Sequence, residues 1–233
     1  MTMKMERPAL PEIEAARARL EGVILHTPLV PLLADDGSRV DPPILLKPEI
    51  HQAVTSFKIR GVYNAVASLS KEERSRGVMT VSAGNTAQAL AWAARAFGVE
   101  AKSLMPDTAP ATKIERVKAM GAEPILVPVD EVFAFLKEHR WVEQPYSFVH
   151  PWTDRNVLIG HGSMGLEIAD DLPQVDTVYL PVGGGGLLAG TASALLARCD
   201  GVRIVAVEPQ SCPALATALD RGRPVEVACN TIG

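Results

Sequence analysis

Short apolar runs alternate with segments of helical periodicity along most of the chain. Runs of strand length, rich in Val, Ile and Leu, lie at residues 29–33, 44–46, 78–81, 101–104, 124–127, 147–149, 177–181 and 202–207. Apolar positions recur at helical spacing in residues 11–20, 62–69, 86–97, 111–120, 131–139, 154–171, 187–198 and 213–218. From residue 78 onward, predicted strand and predicted helix alternate without interruption.

This alternation predicts an α/β fold built on open parallel sheets. Strands that read as continuous apolar runs are covered by helices on both faces. The sequence shows no internal repeat, low-complexity segment or flexible linker. Because ligands of such sheets bind beyond the carboxyl ends of the strands, the loops after Val81 and Val182 are predicted to carry the chemistry.

Composition and charge exclude several classes of protein. The 233 residues are 47% hydrophobic and 21% charged, which excludes a disordered chain. A net charge of −4 without a basic run argues against a nucleic-acid or anionic-membrane partner. The uncharged segment 177–197 is long enough to span a bilayer, but its glycines and Pro181 favour a buried strand, turn and helix.

The cysteines and the N-terminus favour a cytoplasmic protein. Cys199, Cys212 and Cys229 are widely spaced, with no Cys-x-x-Cys pair, so neither a disulfide framework nor a zinc site is predicted. The first eight residues lack the apolar segment of a secretory signal.

A lysine with apolar neighbours lies at a predicted helix start. Lys58 is flanked by Phe57 and Ile59, where an extended apolar segment gives way to a helix. Apolar surroundings and the positive end of the helix dipole both lower the pKa of a lysine. A neutral amine is a nucleophile that captures carbonyl cofactors such as pyridoxal phosphate as Schiff bases. The alternative is an ordinary lysine whose stem covers a helix start.

Two strand-to-helix loops are built to approach anions. The loop Ser-Ala-Gly-Asn-Thr at residues 82–86 offers backbone N–H groups and short polar side chains, although Asn and Thr could instead cap the helix. Four successive glycines, Gly183 to Gly186, are more than a plain turn needs and predict a phosphate at the following helix start. A competing interpretation is a dinucleotide fingerprint, Gly184-x-Gly186-x-x-Ala189 with Glu208 as its acidic residue.

Together, these three segments resemble the fold-type II pyridoxal-phosphate enzymes, most closely the threonine/serine dehydratase family that includes serine racemases. The resemblance implies a tryptophan-synthase-beta-like architecture of two open parallel-sheet α/β domains. The large cofactor-binding domain would comprise residues 1–75 and 152–233, and the small substrate-side domain residues 76–151. The C-terminal part of the large domain, with the group that faces the pyridine nitrogen, is expected to be missing after Gly233. A cut there should expose an apolar sheet edge.

The resemblance also implies roles for individual residues. Lys58 would bind pyridoxal 5'-phosphate and later move the α-proton, and Phe57 would lie beside the cofactor ring. The remaining cofactor contacts would come from the side chain of Asn85 and from the backbone of Gly183, Gly184, Gly185, Gly186 and Leu187. The substrate carboxylate would be held by Ser82, Ala83, Asn85 and Thr86.

The activity implied is β-elimination, the deamination of threonine, serine or a related hydroxy-amino acid to a 2-oxo acid and ammonia, by a homodimer. A β- or γ-replacement reaction stays open, because Thr86 stands where dehydratases carry a histidine, and Asn85-Thr86 also occurs in threonine and cysteine synthases. Ile59 and the four glycines favour the dehydratases.

Two further departures bear on side reactions and on metals. Ala83 stands where serine racemases carry a serine, so racemisation should be poor. Glu208 matches a cation ligand of some relatives, but their second carboxylate falls at Ala214. We therefore expect no metal and a structural role for Glu208.

Overall fold

The computed structural model describes residues 6–229, which form a mixed α/β structure. Its helices are α1 (Leu10–Leu20), α2 (Lys58–Ser68), α3 (Lys71–Ser75), α4 (Asn85–Phe97), α5 (Ala111–Ala119), α6 (Val129–Lys137), α7 (Arg155–Asp171), α8 (Gly186–Arg198) and α9 (Ala214–Arg221). Its strands are β1 (Val30–Pro31), β2 (Leu45–Leu46), β3 (Val78–Val81), β4 (Ala101–Pro106), β5 (Glu123–Val127), β6 (Ser147–Phe148), β7 (Thr177–Pro181) and β8 (Arg203–Val207).

The predicted elements are confirmed within a few residues, and one helix was missed. Helix α3 contains only charged and polar residues, so apolar periodicity could not reveal it. Its start is fixed by a capping box in which the Ser70 hydroxyl accepts the Glu73 N–H and the Glu73 carboxylate accepts the Ser70 N–H. The capping box is the sequence signal that marks this helix.

The principal sheet is parallel, as predicted, and has the strand order β5-β4-β3-β6. Strand β3 is central, with Val78 paired to Ala101 of β4 on one side and to Ser147 of β6 on the other. All four residues of β3 are buried, as expected of a strand covered on both faces. The parallel register brings the loops that follow β3 and β6 to the same edge of the sheet.

The other strands form two small sheets. Strands β7 and β8 pair in parallel, and β1 pairs with β2 in antiparallel fashion. Tyr179 of β7 and Val207 at the end of β8 are 65% and 50% exposed, so apolar side chains of this sheet are exposed, while the exposed sheet edge itself stays a prediction. The division into domains at 1–75, 76–151 and 152–233 stays a prediction, and residues 1–5 and 230–233 of it lie outside the described residues.

Helix α7 packs closely against α2 and α8, and glycines make the close packing possible. Gly160 and Gly165 of α7 face the α2 and α8 backbones, where a Cβ on either would meet the Arg60 or the Thr191 carbonyl oxygen. Gly190 of α8 lies directly against the Leu158 carbonyl of α7. Side chains of ordinary size at these positions would separate the helices, so this small-residue seam sets the distance between α2, α7 and α8.

Replacing Gly190 with alanine is expected to destabilise the fold by about 3 kcal/mol, because the new methyl group would overlap the Leu158 carbonyl and approach the Gly162 backbone nitrogen. Urea unfolding measures this loss. Gly183→Ala is the matched control, because a Cβ at Gly183 meets nothing within 4 Å and its unfolding midpoint should barely change. Equal unfolding midpoints for the two variants would contradict the close packing of α8 against α7 at Gly190.

The cysteine prediction is wrong in one respect. Cys212 and Cys229 form a disulfide, with their Cα atoms 4.4 Å apart, while Cys199 is free and buried. The chain folds back through α9 and brings together residues 17 apart in sequence, which no spacing rule for short motifs anticipates. Within residues 6–229, no helix has both the length and the apolar character needed to cross a bilayer.

Candidate active site

Lys58 is the first residue of α2, and its side chain points into the protein. Its amine donates a 3.1 Å hydrogen bond to the Pro151 carbonyl oxygen and lies 5.5 Å from the centre of the Phe57 ring. Burial lowers the pKa of Lys58, and no carboxylate of the described residues forms an ion pair with it. The predicted lysine with a lowered pKa at a helix start is therefore confirmed, while its contact with a cofactor stays a prediction.

Phe57 and a neutral histidine hold the start of α2 against α7. The Phe57 ring meets the His161 ring edge-on at 5.1 Å and packs against the apolar cluster that contains Leu187. Burial, together with the positive charges of Lys58 and Arg60, holds the pKa of His161 well below its usual range. Its imidazole is therefore neutral at neutral pH, chiefly because it is buried.

Arg60, two residues after Lys58, anchors the same helix through a buried charge network. Its guanidinium bonds bidentately to Glu49, at 2.7 Å for each contact, and to Glu167, at 2.6 and 2.9 Å. It also donates to the Ser163 hydroxyl, and Lys47 pairs with Glu167 at 2.7 Å. Because each charge has partners, the network satisfies groups that would otherwise destabilise the core. By holding Arg60, the network fixes the orientation of α2 and therefore the position of Lys58 at its start.

The backbone just before Lys58 is strained. Thr55 has a φ of 53°, in the left-handed region that β-branched residues rarely adopt. Its hydroxyl accepts a 3.1 Å hydrogen bond from Arg116 of α5. Strained backbone of this kind is concentrated at functional sites, where the surrounding structure maintains it.

The 82–86 loop does not cap its helix in the predicted way. The N-cap is Gly84, and no side chain of the described residues bonds to the first turn of α4. Asn85 and Thr86 lie inside that turn, Asn85 exposed and Thr86 buried. Ser82 accepts the Gly84 N–H at 3.1 Å and is itself held by Ser103. The capping interpretation is therefore wrong, and the first-turn N–H groups stay available to a ligand.

The helix that follows the four-glycine loop also begins without a side-chain cap among the described residues. Gly185, the N-cap of α8, has a φ of 80°, and no side-chain cap satisfies the start of α8 among the described residues. A Cβ on Gly183 would meet nothing within 4 Å, and one on Gly184 would lie 2.6 Å from Trp152. The loop therefore needs glycine for its backbone angle at one position and for close packing at another.

The dinucleotide interpretation loses its acidic residue. Glu208 follows β8 as the fingerprint requires, but its carboxylate accepts the backbone N–H groups of Leu215 and Ala216, both at 2.8 Å. Both carboxylate oxygens are thus engaged in closing the start of α9, which favours a structural role over the binding of a ribose hydroxyl. The structural role predicted for Glu208 is confirmed.

The segment after β6 brings the three predicted segments together. The Thr80 hydroxyl of β3 donates to the Val149 carbonyl at 2.8 Å, two residues before the 82–86 loop begins. Two residues further along the segment, the Pro151 carbonyl accepts the Lys58 amine. Trp152 then packs over Gly184. The segment therefore contacts Lys58, the four-glycine loop and β3, the strand that leads into the 82–86 loop.

Reasoning from the sequence missed this segment. It leads into Asp154, whose carboxylate caps α7 by accepting the N–H groups of Asn156 and Val157. Burial raises the pKa of Asp154, and the two N–H groups offset part of that effect. The rule that chemistry follows strand ends was applied to the loops after Val81 and Val182. Applied to the loop after Val149, the same rule would have found His150, Pro151 and Trp152.

The chain matches a known family model. The model described as "Pyridoxal-phosphate dependent enzyme" matches residues 20–232. An L-threonine ammonia-lyase of Thermotoga maritima is 44% identical over 185 residues, which are 79% of this chain and 46% of that protein. The chain thus spans about half the length of this curated relative.

Two solved structures are similar to the whole described fold. Maize serine racemase superposes with a TM-score of 0.87 at 31% identity, over 97% of this chain and 69% of that one. The processed form of threonine deaminase isoform 2 from Solanum lycopersicum superposes with a TM-score of 0.81 at 32% identity, over 96% of this chain and 63% of that one.

Proposed function

Because the chain belongs to the pyridoxal-phosphate dependent enzyme family, we propose that it deaminates threonine, serine or a related hydroxy-amino acid to a 2-oxo acid and ammonia. The observation that carries the proposal is that one segment, residues 149–152, contacts a buried amine without a carboxylate partner, the glycine loop at the uncapped start of α8, and the strand β3 that leads into the uncapped start of α4. The similarity to an L-threonine ammonia-lyase and a threonine deaminase supports the choice of reaction.

The residues present fit pyridoxal phosphate. The cofactor carries an aldehyde and a phosphate, and the site offers a desolvated amine and a glycine loop at the positive end of α8. In this proposal Lys58 binds the cofactor covalently, and Phe57 packs beside its ring. Asn85, exposed at the start of α4, is the polar side chain assigned to the ring's phenolic oxygen. The backbone from Gly183 to Leu187 binds the phosphate.

The substrate is proposed to lie between Lys58 and the start of α4. The uncapped N–H groups of α4 and the Ser82 hydroxyl suit the carboxylate of an amino acid. Ala83 and Thr86 complete the assigned loop, with buried Thr86 supporting its shape rather than offering an accessible hydroxyl. The positive end of the α4 dipole would stabilise the negative charge of that carboxylate.

Lys58 is the residue proposed to move the α-proton. When bound, pyridoxal phosphate withdraws electrons from the α-carbon, which makes that proton removable. Burial lowers the pKa of Lys58, so a larger fraction of its amine is neutral and able to accept a proton at neutral pH. The amine donates a hydrogen bond to the Pro151 carbonyl, so the lone pair on the amine nitrogen points away from that carbonyl. Loss of hydroxide from the β-carbon then completes the elimination.

A substrate panel tests the proposed reaction. We expect ammonia and a 2-oxo acid in equal amounts from L-threonine or L-serine, and none from L-alanine, which lacks a leaving group on its β-carbon. Ammonia and the 2-oxo acid are measured in parallel, the 2-oxo acid by its reaction with a hydrazine, with pyridoxal phosphate supplied. Release from none of the hydroxy-amino acids, despite bound cofactor, would overturn the proposal.

The same panel separates two alternatives. Replacement chemistry, which Thr86 keeps open, would consume a β- or γ-activated amino acid only when a second nucleophile such as sulfide is added. Racemisation, which the similarity to maize serine racemase raises, would form D-serine measurable by chiral chromatography. Because Ala83 has no proton to exchange, we expect D-serine at a small fraction of the elimination product.

The proposal includes a homodimer located in the cytoplasm. The dimer rests on the family resemblance, and the location rests on the wide spacing of the cysteines. The free buried Cys199 is consistent with a reducing compartment, whereas the bond between Cys212 and Cys229 is not typical of one. Sedimentation velocity at micromolar concentration gives the assembly state, and a single monomeric species would overturn the dimer.

A further inference from the structure

An imidazole closes the turn that follows β6. The Nδ1 atom of His150 accepts the Trp152 N–H at 3.4 Å and the Thr153 N–H at 3.2 Å. Because Nδ1 is the acceptor of both bonds, the ring proton must lie on Nε2. The imidazole therefore replaces a backbone carbonyl as the group that holds residues 150–153 in a turn.

The surroundings of His150 favour the neutral ring that this role requires. Its ring packs edge-on against Trp152 at 4.9 Å, Phe148 at 5.9 Å and Trp141 at 5.4 Å. Burial, with a smaller contribution from the charge of His139, lowers the pKa of His150 to about 4. At neutral pH the Nδ1 lone pair is therefore available, and the aromatic contacts keep the ring in one orientation.

The turn that His150 closes carries two parts of the candidate site. Pro151 presents its carbonyl oxygen to the Lys58 amine. Trp152 lies over Gly184, close enough that even a methyl group on Gly184 would overlap its Cβ and Cγ atoms. A change in the turn would therefore move the acceptor of the lysine and the cover of the glycine loop together.

We propose that His150 is a positioning residue, which acts through this turn to orient the Lys58 amine and to seat Trp152 against the four-glycine loop. Within residues 6–229, His150 forms no hydrogen bond with the lysine or the loop; its Nδ1 holds the backbone that contacts both. The effect on cofactor binding rests on the function proposed above, whereas the effect on the Lys58 amine does not.

Two amides of similar size separate this role from simple packing. In His150→Asn the side-chain oxygen can occupy the place of Nδ1 and accept the same two N–H groups. In His150→Gln the amide lies one bond further out, at the place of Nε2, and cannot close the turn. Both variants lose the aromatic ring equally, so a role in packing alone predicts the same result for both.

The test measures the Lys58 amine and the cofactor separately, on the full chain. Competitive acetylation followed by mass spectrometry of the Lys58 peptide, over a pH series and without cofactor, gives the pKa of that amine. Titration with pyridoxal phosphate, followed by visible absorbance, gives the dissociation constant. His51→Ala, at an exposed histidine, is the matched control. Thermal unfolding of every variant is recorded beside these measurements.

We expect the Asn variant and the control to match the wild type in the Lys58 pKa and to bind the cofactor within about threefold of it. In the Gln variant the Lys58 pKa should fall further below that of an ordinary lysine, because the ammonium loses the Pro151 carbonyl that favours its charged form. The dissociation constant should rise about tenfold, the effect of losing one to two hydrogen bonds. Equal behaviour of Asn and Gln, including an equal loss of stability, overturns the proposal.

The two proposals fail in different ways. If no variant and no wild-type protein binds pyridoxal phosphate, the proposed function fails, and the acetylation result still decides the role of His150. If the wild type binds the cofactor but the Gln variant leaves the Lys58 pKa unchanged, the positioning role fails and the proposed function stands.

Discussion

Replacing Lys58 with methionine is expected to reduce 2-oxo acid formation by at least about 10³-fold, while the protein stays folded. The amine is both the proposed attachment point of the cofactor and the proposed base, and loss of a positioned proton-transfer group alone lowers rates by about 10²–10⁴-fold. Initial rates with L-threonine at saturating pyridoxal phosphate, together with visible absorbance, measure the loss. A variant that keeps a tenth of the wild-type rate would contradict the assignment.

The stability of the same variant separates a functional lysine from a structural one. Burial lowers the folded-state pKa of Lys58, so below the pKa of an ordinary lysine the unfolded chain binds a proton more readily than the folded one. The buried lysine therefore destabilises the fold at neutral pH, and the destabilisation disappears as pH rises toward the unfolded-state pKa. Lys58→Met should melt at the wild-type temperature or above it at pH 7.

Lys47 provides the matched control. It is also buried, but its amine is paired with Glu167 at 2.7 Å and bonded to the Thr27 carbonyl. Breaking a buried ion pair by removing one partner costs about 3 kcal/mol or more, so Lys47→Met should lower the stability. Two buried lysines changed in the same way are thus expected to give opposite results. Loss of stability in both variants would mean that Lys58 is a structural residue.

Replacing Arg60 with methionine is expected to lower the free energy of unfolding by about 4 kcal/mol, the largest single effect on stability that the structure indicates. The change leaves the carboxylates of Glu49 and Glu167 buried without their bidentate partner. Urea unfolding measures the loss. Arg140→Met is the matched control, because Arg140 also pairs with two glutamates, at 2.7 and 2.8 Å, but on the surface. It should cost less than about 1 kcal/mol.

A second substitution tests the reason for this effect. If the loss comes from unpaired buried charge, Glu49→Gln in the Arg60→Met background should recover part of the stability. Lowering the pH should act in the same direction in the single variant. Burial by itself raises the pKa of Glu49, but in the native protein Arg60, together with hydrogen bonds from Thr27 and Gln52, outweighs burial and lowers the pKa. Without Arg60 the pKa of Glu49 should rise, so its protonation as the pH is lowered should stabilise the variant relative to the wild type.

The recovery decides between two explanations. A gain in stability on adding Glu49→Gln, or on lowering the pH, identifies unpaired charge as the cause. Equal losses for Arg60→Met at all pH values, with no recovery, would mean that the lost contacts of the arginine stem dominate instead. Catalytic rates of the folded variant are also expected to fall, because Arg60 fixes the helix that begins at Lys58.

The sequence alone determined the elements of the fold and the chemistry of three segments. Apolar periodicity is a local property, so the strands from Val78 to Val207 and the helices between them could be predicted from neighbouring residues alone. An amine among apolar residues and runs of glycine are also visible one segment at a time. The family followed because three such segments occur in a fixed order, without any knowledge of how they meet.

Tertiary structure decided everything that depends on distant parts of the chain touching. The Pro151 carbonyl that accepts the Lys58 amine is 93 residues away in sequence, and Glu167 is 107 residues from its partner Arg60. The disulfide between Cys212 and Cys229 depends on a chain reversal through α9. The pKa of a buried group depends on what surrounds it in space rather than in sequence. For that physical reason the turn at His150 and the network at Arg60 emerged only from the folded chain.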